Sequence, residues 1–209
     1  MIRNILFDLG GILYHIDYQA TVEAFNQLGH KEFEKVFHQH QQSPLFDLFE
    51  TGKISQNCFF DKLGKLFKGV DQNQLIRAWN KMLIGMPKEN LDLLTDLSKD
   101  YNLFLLSNAN ETHIEYVEKD LKHTLGIEKI DPFFKKAYFS HKIGLRKPCI
   151  ETFRWIINDA GINASETVFI EDTKQHIDGA KAAGLHTLHI KTNKALSRPF
   201  LDIALSGFH

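Results

Sequence analysis

The sequence has little cysteine and no long hydrophobic segment. Its 209 residues include two cysteines, Cys58 and Cys149, which are too few for the disulfide framework of a small secreted domain. No apolar stretch approaches the roughly 20 residues of a membrane-spanning helix, and the apolar run at 5–7 is too short for a signal peptide. We therefore expect a cytoplasmic protein with reduced thiols and no membrane partner.

Neither sign of charge is in excess. The 25 lysine and arginine residues against 26 aspartate and glutamate residues give a formal net charge of −1, so the positive surplus typical of nucleic-acid-binding proteins is missing. Hydrophobic residues make up 43% and charged residues 24% of the chain, which is the balance of a globular protein with a full core. We expect no nucleic-acid partner, and the composition leaves the oligomeric state open.

Short apolar runs predict strands that are buried on both faces of a sheet. Five such runs lie at 5–7, 103–106, 137–139, 167–170 and 187–190. Amphipathic helical patterns lie between them. Strands that alternate with helices indicate βαβ units and a mostly parallel sheet, which places the chain in the α/β class.

The segment between the first two predicted strands has a different pattern. From about residue 17 to residue 87 it contains few strand-like runs and several amphipathic helical patterns. A segment of this length is too long for a simple crossover between neighbouring strands. We therefore predict an inserted helical cap domain at 16–87 and an α/β core made of 1–15 and 88–209.

Polar residues follow most of the predicted strands. Asp8 follows the first, Ser107 and Asn108 follow the second, and Glu171 and Asp172 follow the fourth. In a parallel sheet the carboxyl ends of the strands share one edge, and ligands of open α/β sheets bind at that edge. The pattern therefore predicts that these side chains converge on an active site, although they are far apart in the sequence.

Four short motifs resemble those of the haloacid dehalogenase-like hydrolase superfamily. They are FDLGGIL at 7–13, LLSN at 105–108, GLRKP at 144–148, and FIED at 169–172 with GAKAAG following at 179–184. Their order and spacing match, and the resemblance covers nearly the whole chain. It implies a Rossmann-like, three-layer α/β/α core with an inserted helical cap. The likeness is greatest to sugar-phosphate phosphatases that have glycine two residues after the first aspartate.

The resemblance implies roles for the residues that would handle a phosphate. Asp8 would be the catalytic nucleophile and form an aspartyl-phosphate, which water then hydrolyses. Lys147 would be a catalytic cation that reaches both Asp8 and the phosphoryl group. Ser107, Asn108 and Lys147 would bind the phosphate, although the sequence does not distinguish this role of Ser107 and Asn108 from capping of a helix. Arg146 is expected at the surface rather than as a second phosphate contact.

The resemblance also implies a Mg²⁺ cofactor. The carboxylates of Asp8 and Asp172 and the backbone carbonyl of Gly10 would bind the ion, since Mg²⁺ favours oxygen ligands. Glu171 is expected behind these ligands, where it would act through a water molecule. His176 stands where related proteins often have asparagine or aspartate, so its role is left open.

Gly10 stands where most phosphatases of the superfamily have an aspartate that acts as general acid and base. Such help typically accelerates a reaction by ~10²–10⁴-fold. The glycine therefore predicts a good leaving group, a substitute acid or a weakened enzyme. His15 and Asp17 are candidates for the substitute, but Asp17 is favoured as the N-cap of the first cap helix.

The sequence favours a Mg²⁺-dependent phosphatase of small phosphorylated metabolites and leaves two alternatives. A carbon–halogen hydrolase would use the same aspartate nucleophile, and it would need neither a general acid nor a metal ion. A binding or regulatory protein on a weakened scaffold would fit Gly10, but it has no need to keep Asp8, Ser107, Lys147 and Asp172 together.

Overall fold

The structure is a computed structural model that describes residues 1–31, 33–35, 37 and 44–208. The strands in this part of the chain are β1 (Asn4–Phe7), β2 (His15–Ile16), β3 (Leu83–Gly85), β4 (Asn102–Ser107), β5 (Lys136–Phe139), β6 (Thr167–Glu171) and β7 (His186–His189). The α-helices are α1 (Tyr18–Gln27), α2 (Pro44–Glu50), α3 (Gln56–Gly64), α4 (Gln72–Trp79), α5 (Lys88–Leu97), α6 (Glu111–Leu125), α7 (Ser140–Ile143), α8 (Ile150–Ala160), α9 (Lys174–Ala182) and α10 (Arg198–Ser206). None of the helices in these ranges is long and apolar enough to cross a lipid bilayer.

Five strands form one parallel sheet in the order β5-β4-β1-β6-β7. The central strand β1 pairs on both sides, and its last residue Phe7 lies opposite Leu105 and Ile170. From β1 the chain continues to β4 and β5 on one side of the sheet, and then crosses to β6 and β7 on the other side of β1. The strand order therefore reverses between β1 and β6. The predicted parallel sheet and Rossmann-like α/β fold are confirmed.

Alternate residues of the strands pack against helices on opposite faces of the sheet. One face, which includes Phe7, packs against α5, α6 and α10. The other face, which includes Leu6, packs against α8 and α9. Leu6 and Phe7 are at most 1% exposed, and complete burial of such a side chain contributes ~1.5–3 kcal/mol to stability. This two-sided burial explains why the central strands appear in the sequence as continuous apolar runs.

A third hydrophobic cluster lies among α1, α2, α3 and α4. It is rich in aromatic side chains, and the stacked pair Phe49 and Phe59 has ring centroids 4.2 Å apart. A two-stranded antiparallel ribbon of β2 and β3 links this helical segment to the core. A separate cluster agrees with an inserted cap, but the domain boundaries at 15/16 and 87/88 remain a prediction.

Candidate active site

Asp8 lies directly after the central strand, where the ladder between β1 and β6 ends. Its backbone N–H donates to the carbonyl of Ile170 at 3.0 Å, and its carboxylate Oδ1 accepts from the N–H of Leu9 at 2.7 Å. The residue is 6% exposed. The backbone therefore holds a buried carboxylate at the carboxyl edge of the sheet with little freedom to rotate.

Gly11 allows the chain to pass close to a second carboxylate. Its φ is +82°, and a Cβ atom at this position would lie 2.3 Å from Oδ2 of Asp172. Both the positive φ and the close approach of the Asp172 carboxylate disfavour other residues at this position. Gly10 differs, because its φ is not positive and an added Cβ would come no closer than 3.4 Å to Ile16. The structure thus favours glycine at position 11 but not at position 10, a difference that the sequence does not show.

Lys147 lies between two buried carboxylates. Its Nζ is 2.7 Å from Oδ1 of Asp8 and 2.6 Å from Oε2 of Glu171, and its side chain is 1% exposed. The side-chain amide of Asn108 holds the lysine backbone, since it donates to the Lys147 carbonyl and accepts from the Lys147 N–H, both at 2.9 Å. Two hydrogen bonds from one side chain thereby hold the backbone of this loop residue in place.

Glu171 organises the site through both carboxylate oxygens. Oε1 accepts from the backbone N–H groups of Asp172 and Thr173, each at 3.0 Å. Oε2 contacts Lys147 Nζ and, at 2.9 Å, Nδ1 of His176. Burial, and then the positive charge of Lys147, lower the pKa of His176 to about 3. The imidazole is therefore neutral, and its Nδ1–H is the donor to Glu171.

Three carboxylates converge at this edge of the sheet. One oxygen from each of Asp8, Glu171 and Asp172 lies within 4.8 Å of the others. The carboxylate of Asp172 also accepts from the hydroxyls of Thr173 at 3.1 Å and Thr192 at 2.6 Å. Two of the three, Asp8 and Glu171, contact the ammonium of Lys147, and Asp172 adds a third acidic group beside them. The donor set of this cluster, all oxygen, is the kind that Mg²⁺ prefers.

Two opposing effects act on the charges of Asp8 and Lys147. Burial, followed by the charges of Glu171 and Asp172, raises the pKa of Asp8 to about 8, although Lys147 opposes this rise. Burial alone would lower the pKa of Lys147, but the charges of Asp8 and Glu171 outweigh burial and raise it. The lysine is thus positively charged, and a further cation would favour the ionised form of Asp8.

The residues predicted to bind phosphate do not cap a helix. Ser107 is the last residue of β4 and is buried, whereas α6 begins at Glu111 and is capped by Asn110, whose Oδ1 accepts from the N–H of His113. Asn108 bonds to Lys147 through both its side-chain oxygen and its side-chain nitrogen, so one amide N–H and the backbone are left for a phosphate. A direct role of Ser107 and Asn108 in phosphate binding remains a prediction.

A cavity joins the carboxylate cluster to the helical segment. Predicted site residues that line it are Asp8, Gly10, Ser107, Asn108, Lys147 and Asp172. Further residues that line it, and that the sequence did not single out, include Tyr18, Glu50, Trp79 and His113. Trp79 and His113 stack with centroids 4.9 Å apart and so join the helical segment to α6. Trp79 lies within the segment of amphipathic helical patterns, where an aromatic residue is expected in the core, and no signal marked the other three residues as part of a site.

Arg146 connects the core to the helical segment. Its guanidinium pairs with Asp47, and Nη2 lies 2.9 Å from Oε2 of Glu50. The side chain is 22% exposed, so Arg146 lies only partly at the surface where the sequence predicts it. This ion pair places α2 directly beside the loop that carries Lys147.

The comparisons with known proteins agree on one family. The model of the haloacid dehalogenase-like hydrolases matches residues 5–190. A D-ribitol-5-phosphate phosphatase from Bacteroides thetaiotaomicron is 30% identical over 188 residues, which are 90% of this chain and 91% of that protein.

Two solved structures are also similar to this chain. One is a variant of an HAD family enzyme from Bacteroides thetaiotaomicron in complex with magnesium and inorganic phosphate, with a TM-score of 0.89, 33% identity, and coverage of 96% of this chain and 99% of that one. The other is a predicted HAD-like family hydrolase from Porphyromonas gingivalis, with a TM-score of 0.87, 30% identity, and coverage of 98% of both chains.

Proposed function

The chain belongs to the haloacid dehalogenase-like hydrolases, and we propose that it is a Mg²⁺-dependent phosphatase that hydrolyses small phosphorylated metabolites through an aspartyl-phosphate on Asp8. The observation that carries this proposal is the 2.7 Å contact between Asp8 Oδ1 and Lys147 Nζ, with the Asp172 carboxylate in the same cluster. A carboxylate nucleophile beside an ammonium and an oxygen-rich cation site is suited to phosphoryl transfer, in which positioning and charge stabilisation dominate.

The chemistry follows from how Asp8 is held. Both of its hydrogen bonds use Oδ1, so we assign the attack on phosphorus to Oδ2. The new bond joins Oδ2 to phosphorus while the bond from phosphorus to the leaving oxygen breaks. Lys147 neutralises charge on the phosphoryl oxygens during the transfer. Water then attacks the aspartyl-phosphate, releases inorganic phosphate and restores Asp8.

The donor set fits a magnesium ion. Asp8 and Asp172 would hold it with their carboxylates and Gly10 with its carbonyl, while Glu171, whose two oxygens are already engaged, would hold the surrounding groups in place. When bound, the ion would neutralise phosphate charge and favour the ionised form of Asp8. The similar structure solved with magnesium and inorganic phosphate supports this assignment.

The similarity to a D-ribitol-5-phosphate phosphatase supports a phosphorylated sugar or polyol as the substrate class. A carbon–halogen hydrolase is the weaker candidate, because a reaction without a metal gives no reason for Asp172 beside Asp8. A purely binding protein is also weaker, because it does not require a buried lysine on the nucleophile.

The test is a screen of purified protein against sugar, polyol, aryl and acyl phosphates in the presence of Mg²⁺. We expect phosphate release that EDTA abolishes and added Mg²⁺ restores. Asp8→Asn should reduce turnover to background without loss of the fold, whereas the matched change Asp178→Asn, at an exposed side chain of α9, should not. Turnover that survives chelation would favour dehalogenase chemistry, and substantial turnover by Asp8→Asn would exclude the covalent mechanism.

A further inference from the structure

The space beside Gly10 is occupied by the chain that enters the helical segment. A Cβ atom on Gly10 would lie 3.4 Å from Cδ1 of Ile16. Ile16 is the last residue of β2, and α1 begins two residues later with Tyr18. Tyr18 lines the same cavity as Asp8 and Gly10. Ile16 thus packs over Gly10, and Tyr18, two residues further along the chain, lines the same cavity.

Tyr18 belongs to the junction between the two parts of the molecule. It packs against the apolar clusters of both the core and the helical segment, and its ring centroid is 6.0 Å from that of Phe37. Because Tyr18 contacts both clusters, its ring lies at the boundary between the core and the helical segment.

The hydroxyl of Tyr18 has no hydrogen-bond partner among the residues that the structure describes. Two other tyrosines are different, because Tyr14 donates to Asp120 at 2.7 Å and Tyr138 donates to Asp159 at 2.8 Å. A polar group that lines a cavity without a protein partner is free to pair with a ligand.

The surroundings of Tyr18 keep its hydroxyl protonated. Burial, and then the charges of Glu50, Asp172 and Asp8, raise the pKa of Tyr18 above its ordinary value. A phenol in such surroundings does not readily give up its proton. It acts as a hydrogen-bond donor toward an oxygen that is gaining negative charge.

We propose that the Tyr18 hydroxyl donates a hydrogen bond to the leaving-group oxygen of the substrate and so takes over part of the role that an acidic residue 10 would have. This inference rests on the proposed phosphatase function. As the bond to phosphorus breaks, the leaving oxygen becomes negative, the hydrogen bond shortens, and the proton that completes the alcohol comes from water. The phenol proton itself stays on Tyr18.

Tyr18 replaces the two substitutes that the sequence suggested. Asp17 is exposed and its Oδ1 accepts from the N–H of Gln19, so it is the N-cap of α1, as the sequence favoured. His15 is not among the residues that line the cavity in the described part of the chain. Tyr18 therefore has the best access of the three to a bound substrate.

The test compares Tyr18→Phe with the matched control Tyr138→Phe, whose hydroxyl bonds to Asp159 away from the cavity. Values of kcat/KM are measured for phosphate esters whose leaving groups range from nitrophenol to simple alcohols. Loss of one donor to a developing oxyanion can cost on the order of 10²-fold. We expect Tyr18→Phe to lose ~10-fold or more on alkyl phosphates and little on nitrophenyl phosphate, so that log kcat/KM falls more steeply with leaving-group pKa.

An equal loss on all esters would overturn the inference, because it would mean that Tyr18 only packs against the cavity. The inference would also be overturned if the slope of log kcat/KM against leaving-group pKa were the same for Tyr18→Phe, Tyr138→Phe and the parent protein. Thermal unfolding of both variants shows whether they are folded. A parent protein without Mg²⁺-dependent phosphatase activity would instead contradict the proposed function itself, so the two failures are distinguishable.

Discussion

The side-chain amide of Asn108 forms two hydrogen bonds of 2.9 Å with the backbone of Lys147, one in each direction. This pairing joins residues 39 positions apart in the sequence and orients the ammonium toward Asp8. The phosphate-binding role that the resemblance implies for Asn108 is therefore secondary, in our interpretation, to its role in positioning Lys147.

The first prediction concerns Asn108→Ala. Each lost hydrogen bond contributes ~0.5–1.5 kcal/mol, so the free energy of unfolding in urea should fall by ~1–3 kcal/mol. Because the role proposed for Lys147 lies in the transition state, we expect kcat to fall by on the order of 10-fold or more while KM changes little. The control Asn163→Ala removes an exposed side chain that pairs with Glu166 and should preserve kcat. A rise in KM with unchanged kcat would instead indicate direct substrate binding by Asn108.

The second prediction concerns Gly11→Ala. The added methyl group would lie 2.3 Å from Oδ2 of Asp172 and must displace that carboxylate, so the Mg²⁺ concentration for half-maximal activity should rise. Gly29 is a matched control, because its φ of +105° imposes backbone strain but no atom lies within 4 Å of an added Cβ. Both variants should lose ~1–2 kcal/mol of stability to the unfavourable φ, but Gly29→Ala should keep its Mg²⁺ response. Equal Mg²⁺ responses would mean that Asp172 is not a ligand.

The third prediction concerns the contact between Arg146 and Glu50. Glu50 is 7% exposed, and removal of the arginine would take one cation away from a buried carboxylate, which costs more than removal of a surface ion pair. Arg146→Gln should therefore raise KM, because α2 would no longer be held beside the Lys147 loop.

A double-mutant cycle with Glu50→Gln separates this contact from unrelated effects. A coupling of ~0.5–3 kcal/mol in unfolding free energy is the range for residues in contact. A coupling near zero would show that Arg146 and Glu50 act independently. Arg154→Gln, on the exposed face of α8, provides the matched control for charge removal.

The parallel sheet could be predicted from the sequence because each strand is marked by a pattern of neighbouring residues. Continuous apolar runs such as 5–7 and 167–170 predict strands buried on both faces, and a parallel sheet necessarily gathers the residues that follow them at one edge. The same rule predicts that Asp8 and Asp172 approach each other, and the structure places their oxygens within 4.8 Å. The helical character of most of the segment before β3 follows equally from local periodicity.

Contacts that depend on how the helical segment packs on the core were not predictable. Arg146 and Asp47 are 99 positions apart, and Trp79 and Asn110, whose side chains bond at 3.3 Å, are 31 apart. Each of these residues has an ordinary local explanation, as a surface charge, an apolar helix position or a helix cap. The same is true of Tyr18, because neither its helix position nor its residue type shows that its hydroxyl lines a cavity.

The last prediction concerns Gly10→Asp. The backbone at Gly10 has no positive φ, and an added Cβ would lie 3.4 Å from Ile16 Cδ1 and 3.6 Å from Ile16 Cγ2. A flexible side-chain methyl group can yield at these distances, so we expect the variant to fold with nearly parental stability. The new carboxyl group would enter the cavity beside Asp8, where it can protonate the leaving oxygen.

The parent protein should favour esters with acidic leaving groups, because the Tyr18 hydrogen bond does not supply a proton. General acid catalysis is worth up to ~10²–10⁴-fold, so Gly10→Asp should raise kcat/KM most for alkyl phosphates and flatten its dependence on leaving-group pKa. If the new carboxylate binds the metal ion instead, the Mg²⁺ requirement will change while the slope stays steep, which would contradict the prediction. Because the acid then supplies what Tyr18 supplied in part, Tyr18→Phe should cost less in the Gly10→Asp background than in the parent, and this non-additivity is measured with the same series of esters.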